Sequence, residues 1–243
     1  MLHLKKVLGA KPKEHVVTEL KPLMTPWGEA LDPECVLPEH PDPQFARANW
    51  QSLNGSWECA FAPGAYRIGD DLEEAVRTAQ PPEMWPQRII VPFSPEASLS
   101  GIGHQLQIGE LLWYRRELGT QHRNARGHRT LLHFQAVDAV CAVWCNGKLL
   151  GTHVGGYTPF AFDITDCLNC DDAPDELLVC VADPSEFGGQ LRGKQRFDRG
   201  DIWYSAQSGI WQSVWLEQVP SERIASIELA PDARTGILAV GVH

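Results

Sequence analysis

Short runs in which apolar and polar residues alternate dominate the chain after Trp50, and they predict β-strands. The first run is WECAFA, which begins at Trp57. Further strands are predicted over residues 88–93, 112–118, 129–137, 139–145, 148–153, 177–182 and 210–217. Asn146-Gly147 separates two of these runs and predicts a type I′ hairpin turn, because both central residues of that turn need a positive φ.

A single segment, Asp70–Ala79, has the pattern of a helix, with acidic residues crowded into its first turn. Its apolar face consists of Leu72, Ala75, Val76 and Ala79. One short helix beside about eight strands favours an all-β fold, namely an antiparallel β-sandwich with Greek-key or jelly-roll connections.

The two ends of the chain differ from this pattern. Residues 1–48 are predicted to form an arm, because proline recurs too often for a long helix or an internal strand. Residues 49–220 are predicted to form one domain. After Pro220, residues 224–229 and 236–242 predict a hairpin, which we interpret as the start of a further domain because two strands alone are marginally stable.

The most distinctive segment is GDIWYSAQSGIWQSVWLE, residues 200–217, which holds three of the nine tryptophans beside the carboxylate of Asp201. Alternation from Ile210 places Trp211 and Trp215 on one strand face and aliphatic residues on the other, which indicates a strand covered on both sides. Aromatic rings beside a carboxylate suit a polyhydroxylated ligand. The alternative is that each ring simply belongs to the core.

Composition narrows the class of protein. The chain has 243 residues, of which 43% are hydrophobic and 21% charged, as is typical of a globular protein. A formal net charge of −10 argues against a nucleic-acid partner, and no apolar run is long enough to cross a membrane. Seven cysteines cannot all pair within the chain, and no signal-peptide core begins it. We therefore expect free thiols and a cytoplasmic location.

No motif for a resident cofactor is found. Cys167 and Cys170 form a lone CxxC without a second pair or suitably spaced histidines, so a zinc site is not predicted. Cys141 and Cys145 are four residues apart on a predicted strand, too far to pair or to share a metal, and are expected in the core. No glycine-rich phosphate loop opens a helix.

The central block carries a family resemblance. It contains WCNGKLLG and GGYTPFAFDIT and is followed by SGIWQSVWLE; LNGSWECAF, IVPFSPEASLSGIG and LWYRREL precede it in the same order. Together these segments resemble the N-terminal sugar-binding domain of glycoside hydrolase family 2, which includes β-galactosidases, β-glucuronidases and β-mannosidases. The resemblance extends from about Thr25 to the end of the chain.

The resemblance implies a galactose-binding-domain-like jelly roll over residues 49–220, then the beginning of an immunoglobulin-like β-sandwich over residues 221–243. It also implies a (β/α)₈ barrel that carries two glutamates and hydrolyses O-glycosidic, β-galactoside-type bonds with retention. The chain has no Asn-Glu dipeptide and no barrel-length succession of strands and helices. Both catalytic glutamates are therefore expected in an absent barrel, and the chain alone is expected to be inactive.

Three site residues follow from the resemblance. Asp201 matches an aspartate that binds sugar hydroxyls and helps to hold a sodium ion, whereas Arg192 and Lys194 belong to a loop motif that contacts the pocket rim or the substrate. The implied partners are a carbohydrate substrate and the C-terminal domains of the same protein. As alternatives, Asp201 could cap the loop backbone, and the two cations could be solvated or form an interdomain salt link.

The resemblance also changes the expectation for the tryptophans. Trp211 and Trp215 are then expected to pack between the two sheets and against the remaining domains. Two other functions stay open: a free-standing carbohydrate-binding module and a purely structural β-sandwich.

Overall fold

A computed structural model describes residues 23–119, 127–170 and 173–243. The described residues before Leu31 belong to a unit of their own. It contains a four-residue helix, α1 (Pro26–Glu29), whose first turn is capped by Thr25: the threonine Oγ1 accepts a hydrogen bond from the Gly28 amide at 3.1 Å.

From Leu31 onward the described chain is built of strands, with one further α-helix, α2 (Leu72–Thr78). In chain order the strands are β1 (Trp50–Ser52), β2 (Gly55–Ala62), β3 (Gln87–Val91), β4 (Leu111–Leu118), β5 (His128–Phe134), β6 (Val137–Asp138), β7 (Val140–Cys145), β8 (Lys148–Val154), β9 (Phe160–Asp163), β10 (Asp175–Ala182), β11 (Gln195–Arg196), β12 (Tyr204–Ser205), β13 (Gly209–Ile210), β14 (Val214–Pro220), β15 (Ile227–Asp232) and β16 (Ile237–Val242).

Two antiparallel sheets form a sandwich, so the all-β prediction is confirmed. One sheet has the order β3-β2-β4-β10-β7-β8 and the other the order β1-β14-β5-β9. Alternate residues of both sheets point inward and form the main core, which includes Trp57, Tyr114 and Phe134. The predicted hairpin turn joins β7 and β8, and Asn146 and Gly147 have the positive φ values of 50° and 74° that a type I′ turn requires.

Helix α2 covers the outer face of the six-stranded sheet. Asp71 caps it by accepting a hydrogen bond from the Glu74 amide at 3.2 Å. Val76 is fully buried in a second core cluster that includes Trp113 and Cys180. The predicted helix is therefore confirmed, as is the apolar face that it turns toward the sheet.

The proline-rich segment 31–48 covers the outer face of the four-stranded sheet. The Gln135 side-chain amide donates a hydrogen bond to the Pro41 carbonyl at 2.9 Å, and Arg47 forms an ion pair with Glu217 of β14. On the opposite face of β14, Leu216 lies in the main core. The strand is thus covered on both sides, as its alternation predicts.

The prediction of one continuous strand over 210–217 is wrong, because residues 211–213 interrupt it. β13 pairs with β6, whereas β14 pairs with β5. At the break, Asn54 replaces strand pairing: its Oδ1 accepts a hydrogen bond from the Val214 amide and its Nδ2 donates one to the Ser213 hydroxyl, both at 3.1 Å. Trp211 leaves the strand and donates its indole hydrogen to the Gly156 carbonyl at 2.8 Å.

The predicted C-terminal hairpin is confirmed as β15–β16, with Ile227 opposite Val242. Its apolar side chains are exposed, for example Leu229 and Val240. The assignment of this hairpin to an immunoglobulin-like domain stays a prediction.

Candidate functional site

The loop of residues 184–208, which connects β10 to β13, carries all three predicted ligand-contact residues. It folds back on itself, because β11 pairs with β12 in parallel and Gln195 lies opposite Tyr204. The guanidinium of Arg196 lies 4.1 Å from the centroid of the Trp203 ring. This cation–π contact joins the two limbs of the loop.

Asp201 lies in a tight turn in this loop and is exposed. The turn is closed by a hydrogen bond from the Trp203 amide to the Gly200 carbonyl at 2.9 Å, and Asp201 has a φ of 52°. Its carboxylate forms no hydrogen bond or ion pair with any described residue. Because an ionised carboxylate is an acceptor only, its oxygens are available to the hydroxyl groups of a ligand.

The other two predicted residues lie nearby along the same loop. Arg192 is half-buried, and its Nε has no hydrogen-bond partner among the described residues. Lys194 is exposed, and its backbone carbonyl accepts a hydrogen bond from the Tyr204 amide at 2.9 Å. Within the described ranges, no hydrogen bond or ion pair joins Arg192, Lys194 and Asp201 to one another. The loop thus presents two cations and a carboxylate without assembling them into a closed site.

Buried carboxyl groups hold both ends of this loop. At its start, Asp183 Oδ1 accepts hydrogen bonds from the Ser185 amide at 2.7 Å and from the Gln190 side chain at 3.3 Å. At its end, the carboxyl of Glu96 accepts hydrogen bonds from the amide and the hydroxyl of Ser208, at 3.1 and 3.0 Å. The ends of the loop are therefore fixed to the sandwich.

A third carboxyl group, that of Asp138 on β6, lies under the middle of the loop. The side chain of Gln195 hydrogen-bonds this carboxyl. Gln195 also donates to the Tyr157 hydroxyl at 3.3 Å and accepts from the Gln207 amide at 2.5 Å. Gln195 thereby links the loop to two points of the sandwich, whereas Asp138 Oδ1 is buried without a hydrogen-bond partner among the described residues.

These three carboxyls raise one another's proton affinity. Burial, together with the charges of Asp183 and Glu96, raises the pKa of Asp138 to about 8. Burial also raises the pKa of Asp183 and that of Glu96. No described lysine or arginine forms an ion pair with any of them. A buried carboxyl beside like charges and without a cation favours its neutral form, so Asp138 holds a proton at neutral pH.

Sequence reasoning missed this cluster. Asp138 interrupts an apolar run, and Asp183 directly follows the apolar strand β10, so each alone suggests an acid at the end of a strand. Glu96 lies in a separate segment, FSPEAS. Only the crossing of strands between the sheets brings the three together, and the interruption at Asp138 was the one signal available in the sequence.

The tryptophans pack and do not form a sugar platform. Trp215 is buried and stacks on His133 with ring centroids 4.7 Å apart. It lies on the outer face of its sheet, against the 31–48 segment, so the expectation that it packs between the two sheets is wrong. Trp211 and Trp203 are half-buried, the first bonded to the Gly156 carbonyl and the second beneath Arg196.

Neither a metal cluster nor a membrane-spanning helix occurs in the part of the chain that the structure describes. No group of three or more histidine, cysteine, aspartate or glutamate side chains there could hold a metal ion. None of the described helices is long and apolar enough to cross a membrane. Cys141 and Cys145 are fully buried, as predicted.

Comparison with protein families gives a match over most of the sandwich. Residues 50–220 match the family described as "Glycosyl hydrolases family 2, sugar binding domain". The matched range contains both sheets of the sandwich, the 184–208 loop and the three buried carboxyls.

Curated relatives agree with this match. A β-galactosidase of Thermoanaerobacter pseudethanolicus is 30% identical over 120 residues, which cover 49% of this chain and 15% of the relative. A putative β-glucuronidase of Formosa agariphila is 25% identical over 118 residues, which cover 48% of this chain and 13% of the relative. In each case the match spans less than a sixth of the relative's length.

Solved structures share the fold. A β-glucuronidase from an uncultured Clostridium species superposes with a TM-score of 0.58 and 24% identity, covering 82% of this chain and 34% of that chain. A β-glucuronidase of Bifidobacterium dentium gives a TM-score of 0.55 and 23% identity, covering 77% of this chain and 33% of that chain.

Proposed function

Because the chain belongs to glycosyl hydrolase family 2 through its sugar-binding domain, we propose that it is the substrate-contacting domain of an enzyme that hydrolyses O-glycosidic bonds. The observation that carries the proposal is Asp201, an exposed carboxylate without a partner among the described residues, on a loop whose two ends are fixed. A fixed loop presents such a group at low entropic cost to a ligand. Arg192 and Lys194 add donors on the same loop.

In this proposal the chain binds and orients, and another part of the whole protein performs bond cleavage. A retaining glycosidase needs two carboxyl groups about 5–5.5 Å apart on either side of the scissile bond. The described residues form a sandwich and a hairpin and contain no (β/α)₈ barrel to carry such a pair. We therefore expect the chain alone to lack glycosidase activity.

The proposed substrate is a β-galactoside, and the proposed location is the cytoplasm, where the cysteines stay reduced. Sugar hydroxyls both donate and accept hydrogen bonds, so a carboxylate and two cations on one loop can satisfy both directions. The carboxylate of Asp201 also suits a sodium ion, although the described residues group no further acidic ligand with it. Its role as a sodium ligand stays a prediction.

The experiment that tests the proposal compares Asp201→Asn with Asp198→Asn in the full-length protein. Both aspartates are exposed and lie in the same loop, but only Asp201 is assigned to the ligand. A hydrogen bond to a charged group contributes about 1.5–3 kcal/mol, so Asp201→Asn should lower kcat/KM about 10- to 100-fold for a nitrophenyl β-galactoside. Asp198→Asn should stay within about twofold, as surface substitutions do.

Equal kcat/KM values for the two variants and the wild type would remove Asp201 from the site. In that case the domain would be a structural sandwich, and the carboxylate would be a solvated turn residue.

An autonomous carbohydrate-binding module is the second candidate, favoured by the exposed ring of Tyr204, which pairs with the segment that precedes Asp201. Exposed aromatic rings cover the C–H faces of sugars. Calorimetric titration of the 243-residue chain with galactose and lactose tests it. Heat that saturates at millimolar sugar and disappears in Tyr204→Ala would support this candidate, and its absence would exclude it.

A further inference from the structure

We propose that the 184–208 loop is a proton-dependent lid, closed over Asp138 while this carboxyl is protonated and opened by its ionisation. The inference concerns the loop and the three carboxyls alone. It does not depend on the proposed glycosidase function.

The loop is attached firmly at its ends and weakly in its middle. Backbone amides of Ser185 and Ser208 donate to Asp183 and Glu96 at the two ends. Between them, Gln195 makes the contact with Asp138. The middle of the loop can therefore lift while both ends stay bound.

Closure leaves Asp138 without a compensating charge. The charged and titratable groups that face it are Asp183 from the end of β10, Glu96 from the segment after β3 and Tyr157 from the turn after β8. None of these is a cation. The basic side chains of the loop itself form no ion pair with Asp138 in the described structure. An ionised Asp138 would thus be buried beside like charges.

The only route to hydration is through the loop. On the other side, Asp138 packs so closely against Gly156 that a Cβ atom added there would lie 2.1 Å from Asp138 Oδ1. Water has no room on that side. Lifting Gln195 away from the carboxyl exposes Oδ1 and lets solvent stabilise the charge.

Linkage gives the direction of the effect. The pKa of Asp138 is raised to about 8 in the closed state, and an exposed aspartate has a pKa of about 3.9. The closed state therefore binds the proton more tightly than the open one, and closure weakens as pH rises. Above pH 8, the ratio of closed to open loop falls about tenfold for each pH unit.

Hydrogen–deuterium exchange of the 243-residue chain between pH 6.5 and 9.5 tests the lid. The readout is the protection factor of peptides from residues 184–208, corrected for intrinsic exchange and compared with a peptide from β10. We expect loop protection to fall about tenfold between pH 8 and 9, while the β10 peptide stays unchanged. Loop protection that is constant over this range would overturn the proposal.

Two variants separate the proton from other effects of alkaline pH. Asp138→Asn mimics the protonated carboxyl in shape, so its loop should stay protected up to pH 9.5. Asp183→Asn removes a charge that raises the proton affinity of Asp138, so its transition should move to lower pH. If either variant keeps the wild-type transition, Asp138 is not the sensor. Should Asp138→Asn fail to fold, the direction of the shift in Asp183→Asn decides alone.

Discussion

Two buried polar clusters, one on each side of the molecule's strand framework, treat a buried carboxylate in opposite ways. Beneath the 31–48 segment, Glu217 is 3% exposed and forms an ion pair with Arg47. Beneath the 184–208 loop, Asp138 is 5% exposed and faces two further carboxyls without a cation. The comparison teaches that burial alone does not define a function: a paired charge fastens a segment, whereas an unpaired one makes its cover depend on protons.

The first cluster also extends beyond the sheet. Arg47 donates a second hydrogen bond, to the Ile224 carbonyl at 2.6 Å, in the segment that leads to the C-terminal hairpin. One guanidinium thus joins the 31–48 segment, β14 and the residues after β14. We expect this cluster to be the more important of the two for stability.

Removing the cation of the first cluster should have the largest effect. Arg47→Ala leaves Glu217 buried without its partner, and breaking a buried pair in this way destabilises a protein by about 3–5 kcal/mol. Urea unfolding followed by circular dichroism measures the loss. Arg77→Ala is the matched control, because Arg77 forms an exposed pair with Glu74, and it should change stability by less than about 1 kcal/mol. Similar losses in the two variants would show that the buried pair does not fasten the segment.

The same cluster should also weaken in acid. Burial and the nearby charge of Arg47 lower the pKa of His133 to about 4, whereas an unfolded histidine has a pKa of about 6.5. The folded state therefore binds fewer protons between these values. Its stability is complete above pH 6.5 and falls by about 3 kcal/mol as pH drops toward 4.

His133→Gln isolates this contribution, because it removes the titrating group. Unfolding free energies at pH 7 and pH 4.5 should differ less in this variant than in the wild type. His243→Gln, which changes an exposed histidine, should keep the wild-type difference. If His133→Gln also keeps it, another group is responsible for the acid sensitivity.

Gly156→Ala should give the smallest effect of the three and acts on the second cluster. The new Cβ atom would lie 2.1 Å from Asp138 Oδ1, and overpacking of this kind costs about 1–3 kcal/mol. Gly189→Ala, in the loop, has no atom within 4 Å of the added carbon and should be nearly neutral. Thermal unfolding of the two variants measures the difference. Equal melting temperatures would mean that the contact around Asp138 is loose.

Much of the fold could be predicted from local patterns. The turn at Asn146-Gly147, helix α2 and the C-terminal hairpin each depend on neighbouring residues, so periodicity and turn chemistry were sufficient. The break at residues 211–213 could not be predicted, because it depends on side-chain hydrogen bonds from Asn54, a residue distant in sequence. Alternation alone does not show where a strand changes its partner.

The site was predictable to a lesser degree. The family resemblance pointed to the loop that carries Asp201, and this loop is one continuous segment. The carboxyls beneath it come from three separate segments, so their mutual repulsion exists only in the folded chain. Composition gives the net charge of the whole chain but does not reveal where three acids meet without a cation.

The most direct measurement of the contrast between the two clusters is a ¹³C NMR titration of the aspartate carboxyl carbons, with Asp138 assigned through Asp138→Asn. A midpoint near pH 8 is predicted for Asp138, because burial and its acidic neighbours hold the proton under the closed loop. A midpoint near that of an exposed aspartate, about 3.9, would contradict the prediction. It would show that Asp138 is ionised beneath the loop at neutral pH, and that the two clusters do not differ in the way proposed.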